Sequence, residues 1–516
     1  MRPEPDDERT VLIRVNRRRL LPCTFRRSSL WLVLFAAGCQ DAYVLFPDGG
    51  ERDSEQPGLE ASFEEHPGPT RPGSHLIVGT EAGQRVGGGA LVVLPADQTP
   101  NRVAELLVGA PDDPLPGREA GSLALHHVSW AAEARYDDAD AALFGSAGAR
   151  FGCAAHPLLD IGVVAIGACA RSAEGGERLG AVYLFDHGTI SSGGQAWEVA
   201  SGRIEGASED GLLGSSLTSG DLNGDGALDL VVSAPHADGG RGRLYLVDDI
   251  VAQPWRTVAD IAPIARGSAG EDHFGASLLM GGDLTGDGHD DLVACAPGWD
   301  VAGAPGAGAC AVIAGGLPVM LGDDLEDAVV SVIYGNTPGD ATGDGHGSIA
   351  VGPFLSQGRT GIAIGLPGAK DGNGSVILVG GDDLDGHVSS SAATIRIDGK
   401  GEFGSSLANL PGGGLLVGAP GFSSGGAAFG ILAADIRMPG GEAAQAEDVA
   451  DANWLGLQPH ARFGHTVTSN GDLDGDQWPD IVVGAPFLST DDGGQVGQVV
   501  VTALPSGWPL ETPTGF

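Results

Sequence analysis

Asp221, Asn223, Asp225 and Asp229 stand at positions 1, 3, 5 and 9 of one short stretch, with Gly224 and Gly226 between them. Alternate oxygen-bearing side chains on a glycine-sharpened turn converge on one point, and with the Ala227 carbonyl they form the donor set of a hard cation. Ca²⁺ suits such a wrap of carboxylates and carbonyls better than Mg²⁺, which is smaller and keeps more of its water. Asp229 leads straight into Leu230-Val231-Val232, so this loop joins two strands and not two helices. The spacing recurs as Asp283, Thr285, Asp287 and Asp291 with the His289 carbonyl, and as Asp472, Asp474, Asp476 and Asp480 with the Trp478 carbonyl. In the last loop Gln477 replaces the sixth-position glycine. A version of lower charge runs through Asp97, Thr99, Asn101 and Glu105, beside Arg102. Asx turns without metal are the rival reading, weakened because unneutralised carboxylates at this density repel one another.

These loops sit in a larger block that repeats. A hydrophobic-Gly step occurs at Val86-Gly87, Phe151-Gly152, Leu213-Gly214, Phe274-Gly275, His346-Gly347, Phe403-Gly404 and Phe463-Gly464. Each step is followed by a small-residue tripeptide that closes an apolar strand, from Gly109-Ala110-Pro111 to Gly484-Ala485-Pro486. The two signals alternate about 60 residues apart, a period that marks a repeat architecture. Two further strands per unit follow each tripeptide, such as residues 180–185 and 395–398. Four short strands repeated radially predict an all-β fold, a seven-bladed β-propeller of four-stranded antiparallel blades. The last unit supplies only three strands, and residues 76–79 repeat the missing fourth, so an N-terminal strand is expected to complete the last blade. Asp340, Thr342 and Asp344 share the cation-loop spacing. They lie ahead of the His346-Gly347 step, with Ser348 in place of the ninth carboxylate, and are read as a turn.

The flanks differ in composition. Residues 1–29 are rich in arginine, residues 30–37 form a short apolar run, and Ala36-Ala37-Gly38-Cys39 follows. That order is the form of an export signal, too short to span a bilayer. The tetrapeptide resembles a bacterial lipobox, which implies lipidation at Cys39 and an exported outer-membrane or cell-surface lipoprotein. Residues 40–74 are acidic and rich in Pro and Gly, without apolar periodicity, and are expected to be a flexible tether. The ring should then occupy residues 75–516. In an oxidising compartment the local pairs Cys153/Cys169 and Cys295/Cys310 predict two disulfides within blades, with buried free thiols as the alternative.

The recurring FG step, Asp-rich loop and Gly-Ala-Pro resemble the FG-GAP repeat family, whose members include the propeller head of integrin α chains. The resemblance implies Ca²⁺ in the Asp-rich loops on one face and a protein or glycan ligand on the opposite face, an adhesion or recognition role. With 28 basic and 68 acidic residues the net charge is −40, which excludes nucleic acid as a natural partner and leaves membrane attachment to the lipid anchor. No nucleophile elbow, His-Glu-x-x-His or phosphate loop occurs, so no enzyme is expected. A glycan lyase or hydrolase acting in the central channel is the alternative, and an inert scaffold a third. His126 and His127 are expected as satisfied structural histidines on a third strand, and Trp299, Trp454 and Trp478 as core or rim groups.

Overall fold

The computed structural model describes residues 10–15, 19–24 and 74–504, apart from 97–98, 100–103, 115–119, 129–132, 171–178, 208–210, 249, 317–328, 346, 356–359, 385, 433–442, 474–477 and 491–492. Cys39 and residues 40–73 therefore lie outside the described residues, as do Asp97, Asn101, Asp474 and Asp476. Thr10–Val15 and Arg19–Thr24 pair as an antiparallel hairpin.

From His75 onward the strands form seven sheets. The third blade shows the plan: Leu217–Gly220, Asp229–Ala234, Arg243–Val247 and Pro263–Arg266 lie side by side from the centre outward, all antiparallel. Its second strand is buried along its whole length, as are Glu105–Ala110, Gly361–Leu366, Gly414–Ala419 and Asp480–Ala485. A strand covered on both faces by neighbouring blades needs a continuous apolar run, and these sequences supply one. The core is correspondingly divided into seven hydrophobic clusters, each between two adjacent blades. One of them joins Leu473, Val482 and Val499 of the seventh blade to Val93, Leu106 and Val108 of the first. In the seventh sheet, His75–Val78 pairs antiparallel with Gln498–Thr502, with Ile77 opposite Val499.

Five sheets gain a fifth strand that the repeat pattern does not announce. Gly194–Gln195, Trp255–Thr257, Gly386–Ser389, Ala444–Gln445 and Glu133–Arg135 each lie parallel to the outermost strand of the preceding blade. Two to four backbone pairs suffice to cover an edge that would otherwise offer unpaired N–H and C=O groups. Such pairing depends on backbone and not on side-chain alternation, so no periodicity betrays it.

The step glycines lie against backbone of the preceding blade, as Gly214 does at Ala181, Gly404 at Ser375 and Gly464 at Ala427, and bond the second strand of their own blade. Gly214 donates its N–H to the Ser233 carbonyl at 2.9 Å, Gly404 to Gly418 at 3.0 Å and Gly464 to Gly484 at 3.1 Å. In the fifth blade the same bond comes from Gly343, which donates to Gly365 at 2.8 Å. The step there is Thr342-Gly343 and not His346-Gly347; His346 itself lies outside the described residues. Thr342 is fully buried where other blades place Phe, its hydroxyl donating to the Ala307 carbonyl at 2.7 Å. Its hydroxyl hides the step from a search for apolar residues. Asp340, two residues earlier, accepts from the Asn336 and Thr337 amides at 2.9 Å each. Asp272 of the fourth blade caps the equivalent connection through the Ala269 amide at 2.6 Å. Asp340 is thus a turn cap.

Candidate functional site

Strand direction divides the ring into two faces. The Asp-rich loops connect first to second strands: Gly220 pairs with Asp229 at the loop end of the third blade. The steps precede first strands and the tripeptides end second strands, so both belong to the other end of every blade.

In the third-blade loop, Asp221 accepts the Asp225 and Gly226 amides at 3.0 and 2.8 Å. Asn223 Oδ1 accepts the Asp225 amide, and Asp225 the Ala227 amide, each at 2.8 Å. The fourth-blade loop repeats this: Asp283 accepts from Gly286, Asp287 and Gly288, and Asp287 from His289 at 2.9 Å. The ninth-position carboxylates are held from below. Asp291 Oδ2 takes the Leu284 and Thr285 amides at 2.7 Å each, and Asp480 Oδ2 takes the Leu473 amide at 2.8 Å. The imidazole of His289 reaches the neighbouring loop, lying where a Cβ on Gly224 would meet it at 2.8 Å.

Among the described residues, no three His, Cys, Asp or Glu side chains converge tightly enough to hold a metal ion. The donor set is nevertheless all oxygen, and its electrostatics are unbalanced. Burial pushes the Asp229 carboxyl up to about 6, and the charges of Asp225 and Asp221 add to the rise. Burial likewise raises Asp291, although the Gly315, Thr285 and Leu284 amides pull it back. A hard cation would offset that charge, and an all-oxygen donor set of this kind fits Ca²⁺. Asp221, Asn223, Asp225, Asp229, the Ala227 carbonyl and their counterparts on Asp283, Thr285, Asp287, His289 and Asp291 would hold it. In the seventh blade the described members are Asp472, Trp478 and Asp480. In the first blade Thr99 donates to the Ala96 carbonyl at 3.2 Å, and Glu105 lies 3.4 Å from His127 Nε2, beyond its own loop.

Cys295 and Cys310 face each other on paired strands and are disulfide-bonded. The second expected bridge is absent: Cys153 and Cys169 are buried thiols. The first two strands of that blade lose register between Ile166 and Ala168, and Cys169 falls just past the strand end. Cys153 Sγ accepts the Cys169 amide at 3.2 Å instead.

His127 bridges Glu105 and Asp140, with Nδ1 2.8 Å from Asp140. His126 departs from the expected satisfied state, since its buried Nε2 has no partner among the described residues. Trp454 is core, and Trp299 packs partly buried against another cluster. A cavity of about 340 Å³ at the rim is lined by Asp113, Tyr136, Asp137, Phe144 and Gln195 among others. Beside it Ser122 donates to Asp113 at 2.5 Å, and the Tyr136 hydroxyl donates to the Val108 carbonyl at 3.2 Å. Both hydroxyls are hydrogen-bonded into the fold, and they lie 2.9 Å from each other.

The FG-GAP repeat family matches residues 213–247 and 274–313, the third and fourth blades with their complete steps, loops and tripeptides. Integrin alpha-PS2 of Drosophila melanogaster is 33% identical over 156 residues, covering 28% of this chain. The chain matches only 10% of the length of that relative. The chain is thus a seven-bladed β-propeller whose third and fourth blades match FG-GAP repeats and which is similar in part to an integrin α chain.

Proposed function

We propose that this chain is a recognition module: Ca²⁺ in the strand-connecting loops stiffens the ring, and the loops of the opposite face bind a partner protein or glycan. The observation that carries the reading is that the Asp-rich loops, where a blade has one, lie at the end of the blade opposite the steps and tripeptides. A scaffold held rigid at one face and presenting loops at the other is built for recognition. The likeness to an integrin α chain supports a surface protein, and the lipobox-like residues 36–39 are the ground for proposing a lipid on Cys39 in a bacterial envelope.

Bound Ca²⁺ supplies positive charge to carboxylates that burial and one another otherwise disfavour. The chain's own part is to hold those carboxylates near one another by turn amides, and the ion would draw them the rest of the way together. An ion that binds the native loops at a hundred times its Kd adds about 2.7 kcal/mol per site. Chelation is therefore expected to lower the melting temperature markedly, and Asp287→Ala to remove part of that difference. Calorimetry checks it: no heat on adding Ca²⁺ and a melt unmoved by chelator would refute the calcium reading. Envelope-extract capture and glycan arrays with Ca²⁺-loaded protein test the binding face.

A further inference from the structure

The residue before each step glycine pair occupies the left-handed region in every blade: φ is 51° at Arg85, 50° at Arg150, 54° at Leu212, 54° at His273, 51° at Ala341, 60° at Glu402 and 57° at Arg462. Non-glycine residues adopt this conformation at a cost, so seven in register define a ring of structurally equivalent positions on the face opposite the Asp-rich loops. Going round the ring, Arg462, Arg85 and Arg150 are consecutive. They are also physically continuous. Arg85 Nη1 and Arg150 Nε share one carboxylate, Asp112, at 3.2 and 3.0 Å. The Arg85 guanidinium lies 4.9 Å from the centre of the Phe487 ring, and Phe487 donates its amide to Ala461, the neighbour of Arg462, at 3.1 Å. Arg462 itself pairs with Glu402. The three side chains remain 40%, 43% and 38% exposed in the order Arg85, Arg150, Arg462.

A protein with a net charge of −40 has thus gathered three arginines on the face that the proposed function assigns to recognition. Asp112 engages one N–H position of each of two guanidinium groups, and Arg85 uses another on Gln495. A guanidinium has five N–H donors in a planar fork matched to carboxylate, so most of this donor capacity is not taken up by those bonds. Among the described ion pairs of the arc, three positive charges face two carboxylates, Asp112 and Glu402, a balance of 3 − 2 = +1. That excess draws in one or two carboxylates. A polyanion charged at every unit would be repelled by the acidic remainder of the molecule.

We propose that the Arg462–Arg85–Arg150 arc docks an acidic peptide segment of a partner protein, whose Asp or Glu carboxylates take the guanidinium edges that Asp112 leaves open. The assignment rests on the loop face being the binding face and names the chemistry it selects. The test is fluorescence anisotropy of a labelled Gly-Ser-Glu-Gly-Glu-Ser-Gly peptide at low salt with the Ca²⁺-loaded full chain. Saturable binding is expected below about 1 mM. Arg150→Glu should weaken it by about tenfold or more, since a charge-assisted pair becomes a repulsion. Asp112→Asn, which frees both guanidinium groups from their internal partner, should tighten binding severalfold. Lys400→Glu, an equal charge change at another exposed position, should leave it nearly unchanged, and all variants should keep their melting temperatures. Absence of saturable binding, indifference to Arg150→Glu, weaker binding by Asp112→Asn, or tighter binding of hexagalacturonate than of the peptide would each overturn the proposal. A photo-crosslinking residue introduced at Leu212 separates the two levels: partner capture there without peptide binding removes the acidic-peptide assignment and leaves the recognition face standing.

Discussion

Acidification from pH 6.5 to pH 4 will strip about 3 kcal/mol of stability from this chain through His126 alone. Its side chain is 3% exposed, and burial lowers its pKa from 6.5 to about 4, with His75 adding to the shift and Asp140 and Asp138 opposing it. The folded-state pKa is the depressed one, so the unfolded chain binds the proton first. Stability from the neutral imidazole is complete above 6.5 and is lost as pH falls toward 4. His156, on the innermost strand of the second blade and 2.9 Å from Ser219, is lowered to about 4 by burial and acts in the same direction. Asp229 opposes them in metal-free protein: with its pKa raised to about 6, protonation relieves it as pH falls. The clean measurement is therefore a difference between two proteins. Urea midpoints of the native chain and of His126→Gln should converge as pH is lowered through this window in saturating Ca²⁺. Parallel curves from pH 6.5 to 4 would show that His126 carries no such linkage.

Replacing Gly464 by alanine is expected to destabilise the ring by about 3 kcal/mol, from an unfavourable positive φ and a forced backbone displacement together. Gly464 has φ 87°, and an added Cβ would lie 2.0 Å from the Ala427 carbonyl oxygen of the adjacent blade. The oxygen belongs to backbone and cannot swing aside. Gly464 also accepts the Ser406 hydroxyl at 3.0 Å, so displacement breaks a bond between blades six and seven. Gly162 gives the control: its φ is 65°, yet a Cβ there meets nothing within 4 Å. Gly162→Ala should cost only the backbone term, about 1 kcal/mol. Equal losses in chemical denaturation would mean that close approach of blades is not what the step glycine provides.

The contrast explains why the steps are legible in sequence. A position where neither a side chain nor another backbone conformation is tolerated must be glycine, and seven such positions at one period betray the blade count. The fifth-blade step shows where this fails. Thr342 occupies the buried site of a Phe, and its hydroxyl is satisfied by the Ala307 carbonyl, a partner 35 residues away. The bond from Gly343 to Gly365 and the left-handed backbone of Ala341 identify it. The cysteines divide in the same way. Cys295 and Cys310 stand directly opposite on paired strands, whereas a register shift separates Cys153 from Cys169.

What this sequence determined by itself was everything that repeats: the all-β blades, their number, the turn carboxylates and the glycines between blades. Repetition is readable because the same local physics recurs at a fixed spacing. What only the tertiary structure decided was everything made once, between residues distant along the chain. Arg462, Arg85 and Arg150 are unremarkable one at a time, and Asp112 carries no motif. They become one arc because the first and seventh blades meet in space, where Thr466 donates its hydroxyl to the Gly87 carbonyl at 2.6 Å. The edge-covering parallel strands have the same origin, because backbone pairing across blades leaves no trace in side-chain pattern.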